Sequence, residues 1–144
     1  MRRIIFLNGI WKNRDTDPLI YFTRTIGPYQ LKHWLSNFGI GSQVIDFCQI
    51  LTAQEIVNLI EHFKGPETFA IGISTTFWSG SNSVPANMQE AILLIREKFP
   101  KLKIIGGGAR LPPKVSHHLF DEMMSGEAED NLLFGVKHIE SFCS

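Results

Sequence analysis

Two apolar segments in the middle of the chain end in residues that leave room for a ligand. The first runs from Phe69 to Ser74 and continues into Thr75 and Thr76, whereas the second runs from Leu102 to Ile105 and continues into three glycines, 106 to 108. Hydroxyl groups and free backbone donors can bind phosphates and sugars, and glycine lets a bulky group approach the backbone. The pattern therefore predicts a ligand site at these two segment ends.

An amphipathic segment separates the two apolar segments. Its apolar residues follow helical spacing: Val84, Met88, Ala91, Ile92, Ile95 and Phe99. A strand, a helix and a second strand in this order form a parallel unit, and open parallel sheets bind ligands beyond the carboxyl ends of their strands. The sequence thus indicates where a ligand would lie more clearly than which ligand it is.

The rest of the chain repeats this alternation and predicts a single domain over residues 1–144. We expect five strands, at residues 4–7, 42–47, 69–74, 102–105 and 122–125. We expect helices that start at Gly27-Pro28, Thr52, Val84 and Pro112-Pro113 and a last one after residues 126–130. Right-handed crossovers then favour an α/β fold, namely a flavodoxin-like, doubly wound, five-stranded parallel sheet of order 2-1-3-4-5 in three αβα layers.

Composition narrows the class of protein. The 144 residues are 44% hydrophobic and carry 14 basic and 14 acidic side chains, so the formal net charge is zero. Without a basic block, nucleic acid is not an expected partner, and without a long apolar stretch neither is a membrane. The two cysteines, Cys48 and Cys143, are too far apart in sequence to predict a metal site, and two reduced thiols are typical of a cytoplasmic protein.

Several familiar sites do not match the residues. The loop after the first strand, Asn8-Gly9-Ile10-Trp11, lacks the glycines of a dinucleotide site and the hydroxyls of a flavin site, although Asp46 stands where a ribose-binding acid could lie. A phosphate-accepting receiver domain needs paired acids after the first strand, an aspartate after the third and a lysine after the fifth. Ser74-Thr75 replaces that aspartate and Gly126 follows the fifth strand, so we expect no phosphoryl acceptor here.

The remaining histidines and acidic residues are explained by structural or solvent-exposed roles, without a catalytic or metal site. The five histidines, which are expected to be solvated or locally hydrogen-bonded, are His33, His62, His117, His118 and His138. Adjacent residues such as His117 and His118 point about 100° apart on a helix and cannot chelate one ion as an i, i+4 pair can. Glu127, Glu129 and Asp130 fit the first turn of a helix, where its dipole favours acids.

Four segments, in the right order, resemble the cobalamin-binding domain at the amino end of many radical S-adenosylmethionine enzymes. They are the glycine-started helix and following strand at residues 26–46, the third strand Ala70-Ile-Gly-Ile-Ser74, the fourth strand Ile104-Ile-Gly-Gly-Gly108, and Ser125-Gly-Glu-Ala-Glu-Asp130. The resemblance covers nearly the whole chain and implies that the corrin ring of cobalamin lies over the carboxyl ends of the strands while its nucleotide tail runs between strands and helices.

The resemblance also implies a set of cofactor-binding residues. Those expected to line the tail channel or contact the ring are Asn8, Trp11, Gly27, Ser74, Thr75, Thr76, Gly106, Gly107, Gly108, Gly126 and Glu127. No catalytic and no metal-ligating residue is implied, because residues 8–26 contain no histidine in place of the family's cobalt-ligating Asp-x-His-x-x-Gly motif. Trp11 would pack against the lower face of the ring.

The expected function is therefore a cobalamin-binding-like domain that presents its cofactor to a radical S-adenosylmethionine domain in the same or another chain. It would not be an enzyme alone, since the three clustered cysteines that bind an iron–sulfur cluster are absent. S-adenosylmethionine and that cluster would enter only with a further domain. The alternative is a cofactor-free flavodoxin-like interaction or regulatory protein, which Arg110 favours because its bulk could obstruct the ring.

Overall fold

Five parallel strands form one sheet, and their order is the predicted 2-1-3-4-5. The computed structural model describes residues 2–11, 27–75, 84–108 and 118–125. The strands are β1 (Arg2–Leu7), β2 (Ile40–Ile45), β3 (Thr68–Ser74), β4 (Lys103–Gly108) and β5 (Glu122–Ser125). Each neighbouring pair is parallel, so every connection must cross over the sheet.

Helices lie against both faces of this sheet, which confirms the flavodoxin-like doubly wound class. The described helices are α1 (Gly27–Ser36), α2 (Ala53–Phe63) and α3 (Ala86–Lys98), with a short 3₁₀ turn at Cys48–Ile50. The helices predicted to begin at Pro112 and after residues 126–130 lie outside the described residues, as does most of the long connection after β1. The prediction of a single domain over residues 1–144 stays a prediction.

The core is divided by the sheet into two apolar layers. Alternate residues of β1 point to opposite faces, so Ile5 and Leu7 join the layer under α2 and α3, whereas Ile4 and Phe6 join the layer under α1. The central strands are buried on both faces, as continuous apolar runs in parallel sheets require. This double burial holds the carboxyl ends of β1, β3 and β4 at one edge of a rigid sheet.

Helix α2 begins after Thr52, the predicted helix start, with a capping box between Thr52 and Glu55. The Thr52 hydroxyl accepts a hydrogen bond from the backbone N–H of Glu55 at 3.1 Å, and the Glu55 carboxylate accepts one from the backbone N–H of Thr52 at 2.9 Å. Two donors that the first helical turn leaves unpaired are thereby satisfied. Gly39, three residues beyond the end of α1, has a φ of +75°, which glycine adopts without strain.

The three glycines after Ile105 continue β4 instead of forming a turn. Gly106 pairs with Ile73 and Gly107 with Ser74, so the ladder to β3 runs through them. A Cβ on Gly106 would lie 2.6 Å from the ring of Phe120 and 2.8 Å from the sulfur of Met123. The missing side chain therefore lets these two residues of the β4–β5 region pack against the strand.

The connection into β5 is fixed by Asp121. Its backbone N–H donates to the Ile104 carbonyl at 2.8 Å, and its carboxylate accepts the Ile104 N–H at 2.7 Å. Arg96 of α3 donates to the Leu119 carbonyl at 2.5 Å and lies 3.4 Å from the Asp121 carboxylate. These contacts bring β5 into register beside β4.

Gly72 offers a test of how tightly the strands are packed. A Cβ at this position would lie 2.6 Å from the ring of Phe6, which is itself buried, so we expect Gly72→Ala to lower the free energy of unfolding by about 1–3 kcal/mol. Gly65→Ala is the matched control, because a Cβ there meets nothing within 4 Å, and it should stay within about 0.5 kcal/mol of the wild type. Equal urea midpoints for the two variants would contradict this packing.

Candidate functional site

A hydrogen-bonded group of three side chains joins the ends of β1 and β2 to α1. Asn8 follows β1 and is 1% exposed, and its amide donates to the Asp46 carboxylate at 3.0 Å. The hydroxyl of Tyr29, in the first turn of α1, donates to the other oxygen of Asp46. Asp46 thus accepts from two neutral donors, which stabilise its charge beside the apolar core.

Asn87, the second residue of α3, connects three parts of this edge. Its amide nitrogen donates to the carbonyls of Cys48 and Leu51 at 2.8 and 2.9 Å, and its amide oxygen accepts from the indole N–H of Trp11 at 3.0 Å. The turn after β2, the loop after β1 and the start of α3 are therefore held together by one side chain. Trp11 packs partly buried against the larger apolar layer.

The loop after β1 lies close to the 3₁₀ turn. Gln49 is buried, and its side-chain oxygen accepts the backbone N–H of Ile10 at 3.3 Å. A Cβ on Gly9 would lie 2.8 Å from that oxygen and 2.8 Å from the ring of Trp11. Glycine at this position therefore lets the loop fold back onto the protein, so the loop is packed against its own neighbours.

The ends of β3 and β4 are bonded to each other. Thr75 is 2% exposed, and its backbone N–H donates to the Gly107 carbonyl at 2.9 Å, with its hydroxyl 3.4 Å from the same oxygen. Ser74, the last residue of β3, is half-buried beside them. Both predicted segment ends thus meet at one edge, as the parallel strand–helix–strand unit requires.

Cys48 lies beneath this edge as a neutral thiol. Burial raises the pKa of Cys48 to about 12; a hydrogen bond with the Asn8 backbone opposes this shift, and the charge of Asp46 adds to it. The thiolate is the nucleophilic and metal-binding form of cysteine, so a thiol held neutral is unreactive. The described residues also contain no group of three or more histidine, cysteine or acidic side chains arranged to hold a metal ion.

The structure places most of the predicted site residues at the same edge. Asn8, Trp11, Ser74, Thr75, Gly106, Gly107 and Gly108 lie at or beside the carboxyl ends of β1, β3 and β4, and Gly27 starts α1. Thr76, Gly126 and Glu127 lie outside the described residues. The prediction that these residues bind a cofactor stays a prediction.

Sequence reasoning missed Tyr29, Gln49 and Asn87, which complete the hydrogen bonds of this edge. Tyr29 and Asn87 are polar residues in the first turns of helices that follow long connections, and that position brings them to the carboxyl edge of the sheet. Their position in a first helical turn could have been noticed in the sequence. Their partners could not, because Asn87 bonds to Cys48 and Trp11, which are 39 and 76 residues away along the chain.

Comparison with known proteins shows the fold. No family model matches the sequence, and no curated protein matches it. A cobalamin-binding protein from Desulfitobacterium hafniense DCB-2 is 14% identical with a TM-score of 0.63, and the match covers 95% of this chain and 58% of that one, so this chain spans little more than half its length. The chain therefore has the flavodoxin-like fold found in a cobalamin-binding protein.

Two response regulators share the fold as well. TrrA from Thermotoga maritima, in complex with Mg²⁺ and BeF, is 18% identical with a TM-score of 0.60, over 96% of this chain and 99% of that one. RcsB from Salmonella enterica serovar Typhimurium, bound to the promoter rprA in the presence of BeF3⁻, is 12% identical with a TM-score of 0.57, over 94% of this chain and 66% of that one. Identities this low define a class of fold and do not assign its ligand.

The prediction about partners is wrong. It named cobalamin and a radical S-adenosylmethionine domain and excluded nucleic acid, yet the fold is shared with regulators, one of which is bound to promoter DNA. The charge argument used the composition of this chain alone, and a fold shared with a DNA-bound protein is independent of that composition. As to membranes, none of the described helices has both the length and the apolar character needed to cross one.

We expect Asn87→Ala to loosen this edge. The carbonyls of Cys48 and Leu51 would lose their donor and Trp11 its acceptor, which should lower the free energy of unfolding by about 1–3 kcal/mol. Urea unfolding followed by tryptophan fluorescence measures the change. Gln89→Ala, at an exposed position two residues further along the same helix, is the control and should be nearly neutral. Equal losses in the two variants would contradict the role given to Asn87.

Cys48 should resist alkylation in the folded protein. Because burial holds its pKa near 12, iodoacetamide at about pH 8.5, the ordinary pKa of a cysteine, should leave it unlabelled natively and label it in urea, as measured by peptide mass spectrometry. The unfolded chain loses this proton near pH 9, so the thiol's contribution to the free energy of unfolding should be complete below pH 9 and decline as the pH rises toward 12. Rapid native labelling would show that the thiol is accessible.

Proposed function

We propose that this chain is a regulatory or interaction domain of flavodoxin-like fold that works without a bound cofactor and without accepting a phosphoryl group. The observation that carries this proposal is the internal pairing of the carboxyl edge. Asn8, Trp11 and Thr75 each have a hydrogen-bond partner within the protein, at Asp46, Asn87 and Gly107 respectively. Polar groups that are already hydrogen-bonded within the protein gain little from binding a ligand, so this edge offers a cofactor few favourable contacts.

The residue types at the strand ends support the second half of the proposal. Among the described residues that directly follow β1 and β3, Asn8 to Trp11 and Thr75, none carries a carboxylate. A receiver that accepts a phosphoryl group needs acids in both places. Similarity in fold to response regulators therefore supports a regulatory role, while the side chains support one that does not depend on phosphorylation.

Cobalamin is the competing ligand, since one fold neighbour is described as binding it. Space for its nucleotide tail would have to come from the small residues of β4. At Gly106 the space that a side chain would occupy is filled by Phe120 and Met123, and Trp11 is held against the core by Asn87. These contacts support the cofactor-free alternative, because they use for packing the room that a cofactor would need.

Two titrations test the proposal. We expect hydroxocobalamin to keep its free visible spectrum when the protein is added in excess. We also expect Mg²⁺ with beryllium fluoride to leave the amide resonances of Asn8, Ser74 and Thr75 in place, because the described residues that directly follow β1 and β3 carry no carboxylate to bind them. A spectral shift that saturates at one cofactor per chain would overturn the proposal in favour of cobalamin, and saturable shifts at those amides would do so in favour of a phosphoryl site.

A positive test asks whether the same edge meets a protein. Ile50, in the 3₁₀ turn beside the edge, is a large apolar side chain that is 54% exposed, whereas Glu61 lies near the opposite end of α2. With a photo-crosslinking residue placed at either position in the native host, we expect one discrete protein adduct from position 50 and none from position 61. Identical adducts from both positions, or none from position 50, would contradict an interaction role for this edge.

A further inference from the structure

Among the described strands, β2 is the outermost on its side of the sheet and pairs with β1 alone. The backbone N–H of Asn8 donates to the carbonyl of Ile45 at 2.9 Å, which shows that Ile45 faces β1. Backbone groups of successive strand residues point to alternate sides, so Gly41 and Gln43 also face β1. Ile40, Ser42 and Val44 therefore direct their N–H and C=O groups away from the sheet.

Strand β2 itself carries none of the charges, prolines or bulges that often prevent strand pairing. The strand reads Ile40-Gly-Ser-Gln-Val-Ile45, with no charged residue and no proline, and its register against β1 is regular throughout. Within the described part of the chain, the side-chain hydrogen bond at this edge runs from the Gln43 amide to the Val44 carbonyl at 3.3 Å. A regular, neutral edge of this length is a template for another strand.

Ser42 adds a second, independent observation. It is 8% exposed, on the same face as Ile40 and Val44, and its hydroxyl has no hydrogen-bond partner among the described residues. A buried hydroxyl without a partner costs free energy, so such groups are rare unless something satisfies them. The hydroxyl sits midway along the outward-facing residues of the edge.

We propose that two copies of this chain pair through β2, antiparallel, around a twofold axis that passes between their Ser42 residues. In this register Ile40 lies opposite Val44 of the second copy, and Ser42 lies opposite Ser42 of the second copy. Each outward residue then exchanges a donor and an acceptor with the residue opposite it. Rotation of each Ser42 side chain about χ1 brings the two buried hydroxyls within reach of each other, as in cross-strand serine and threonine pairs.

The arrangement selects a second copy over an unrelated strand. A twofold axis perpendicular to the sheet keeps both α1 helices on the same face of the joined sheet. It also requires that the residues whose backbone groups point outward, Ile40, Ser42 and Val44, lie opposite one another. The register centred on Ser42 meets both conditions. It matches apolar to apolar residues and the unpaired hydroxyl to its own equivalent. The proposal stands apart from the proposed function, because it uses none of the residues at the carboxyl edge.

Amide exchange provides a site-specific test. We expect the N–H groups of Ser42 and Val44 to exchange more slowly as protein concentration rises, while that of Gln43, bonded to β1, is protected at every concentration. Sedimentation equilibrium should show the mass rising from 16.3 kDa to twice that value over the same range. A protein that remains a monomer up to about 1 mM would overturn the proposal. A dimer in which Ser42 and Val44 stay unprotected would overturn it too, because another surface would then be responsible.

Two variants separate the edge from the fold. Ser42→Pro removes an outward N–H and the hydroxyl without removing a bond to β1, and should abolish the dimer. Gln43→Lys places two like charges diagonally across the axis and should weaken the dimer several-fold, with partial recovery at high salt. Gln54→Lys makes the same change of charge at an exposed position on α2 and should leave the dimer unchanged. If Ser42→Pro fails to fold, the test rests on Gln43→Lys. A folded Gln43→Lys variant whose dimer is as strong as that of the wild type would contradict the pairing.

Discussion

The side chain of Asn87 is the constraint on which the carboxyl edge of this protein depends. A single amide donates to the carbonyls of Cys48 and Leu51 and accepts from Trp11, so it ties the connections after β1 and β2 to the first turn of α3. The carbonyls it pairs belong to a turn whose preceding residue, Phe47, has a φ of +60°, an uncommon conformation for a bulky residue. The hydrogen bonds from Asn87 help to hold the chain in that conformation.

The glycines of the central strands make room for large side chains of the protein itself, and not only for a ligand. Gly72 receives the ring of Phe6 across one strand pair, and Gly106 receives Phe120 and Met123 next to the last strand. In both places a large side chain from a neighbouring segment fills the space that the glycine leaves. Glycine near the end of a strand therefore indicates that something approaches the backbone closely, but it does not say whether that group is a ligand or part of the protein.

The sequence predicted the architecture because each element carries a local signal. Apolar runs indicated the strands, helical spacing indicated α3, and Thr52 indicated a helix start. The structure confirms the order of the strands and the helix start at Thr52. The fourth strand, predicted at residues 102–105, extends further, since β4 pairs with β3 through Gly107 and with β5 through Gly108. The contacts of the candidate site were beyond such reasoning, because Asn8–Asp46 and Trp11–Asn87 join residues 38 and 76 positions apart.

A cobalamin-binding protein and response regulators share this fold, so the fold alone does not determine the function. The side chains at the strand ends do. Among the described residues those side chains are amides, hydroxyls, an indole and the carboxylate of Asp46, and they form hydrogen bonds across the loops. Binding a cation or accepting a phosphoryl group at this edge would require carboxylates open to the ligand, whereas Asp46 accepts hydrogen bonds from Asn8 and Tyr29. These hydrogen bonds within the protein stabilise one arrangement of the loops. A surface that is already ordered loses less conformational entropy when another protein binds to it, which favours recognition.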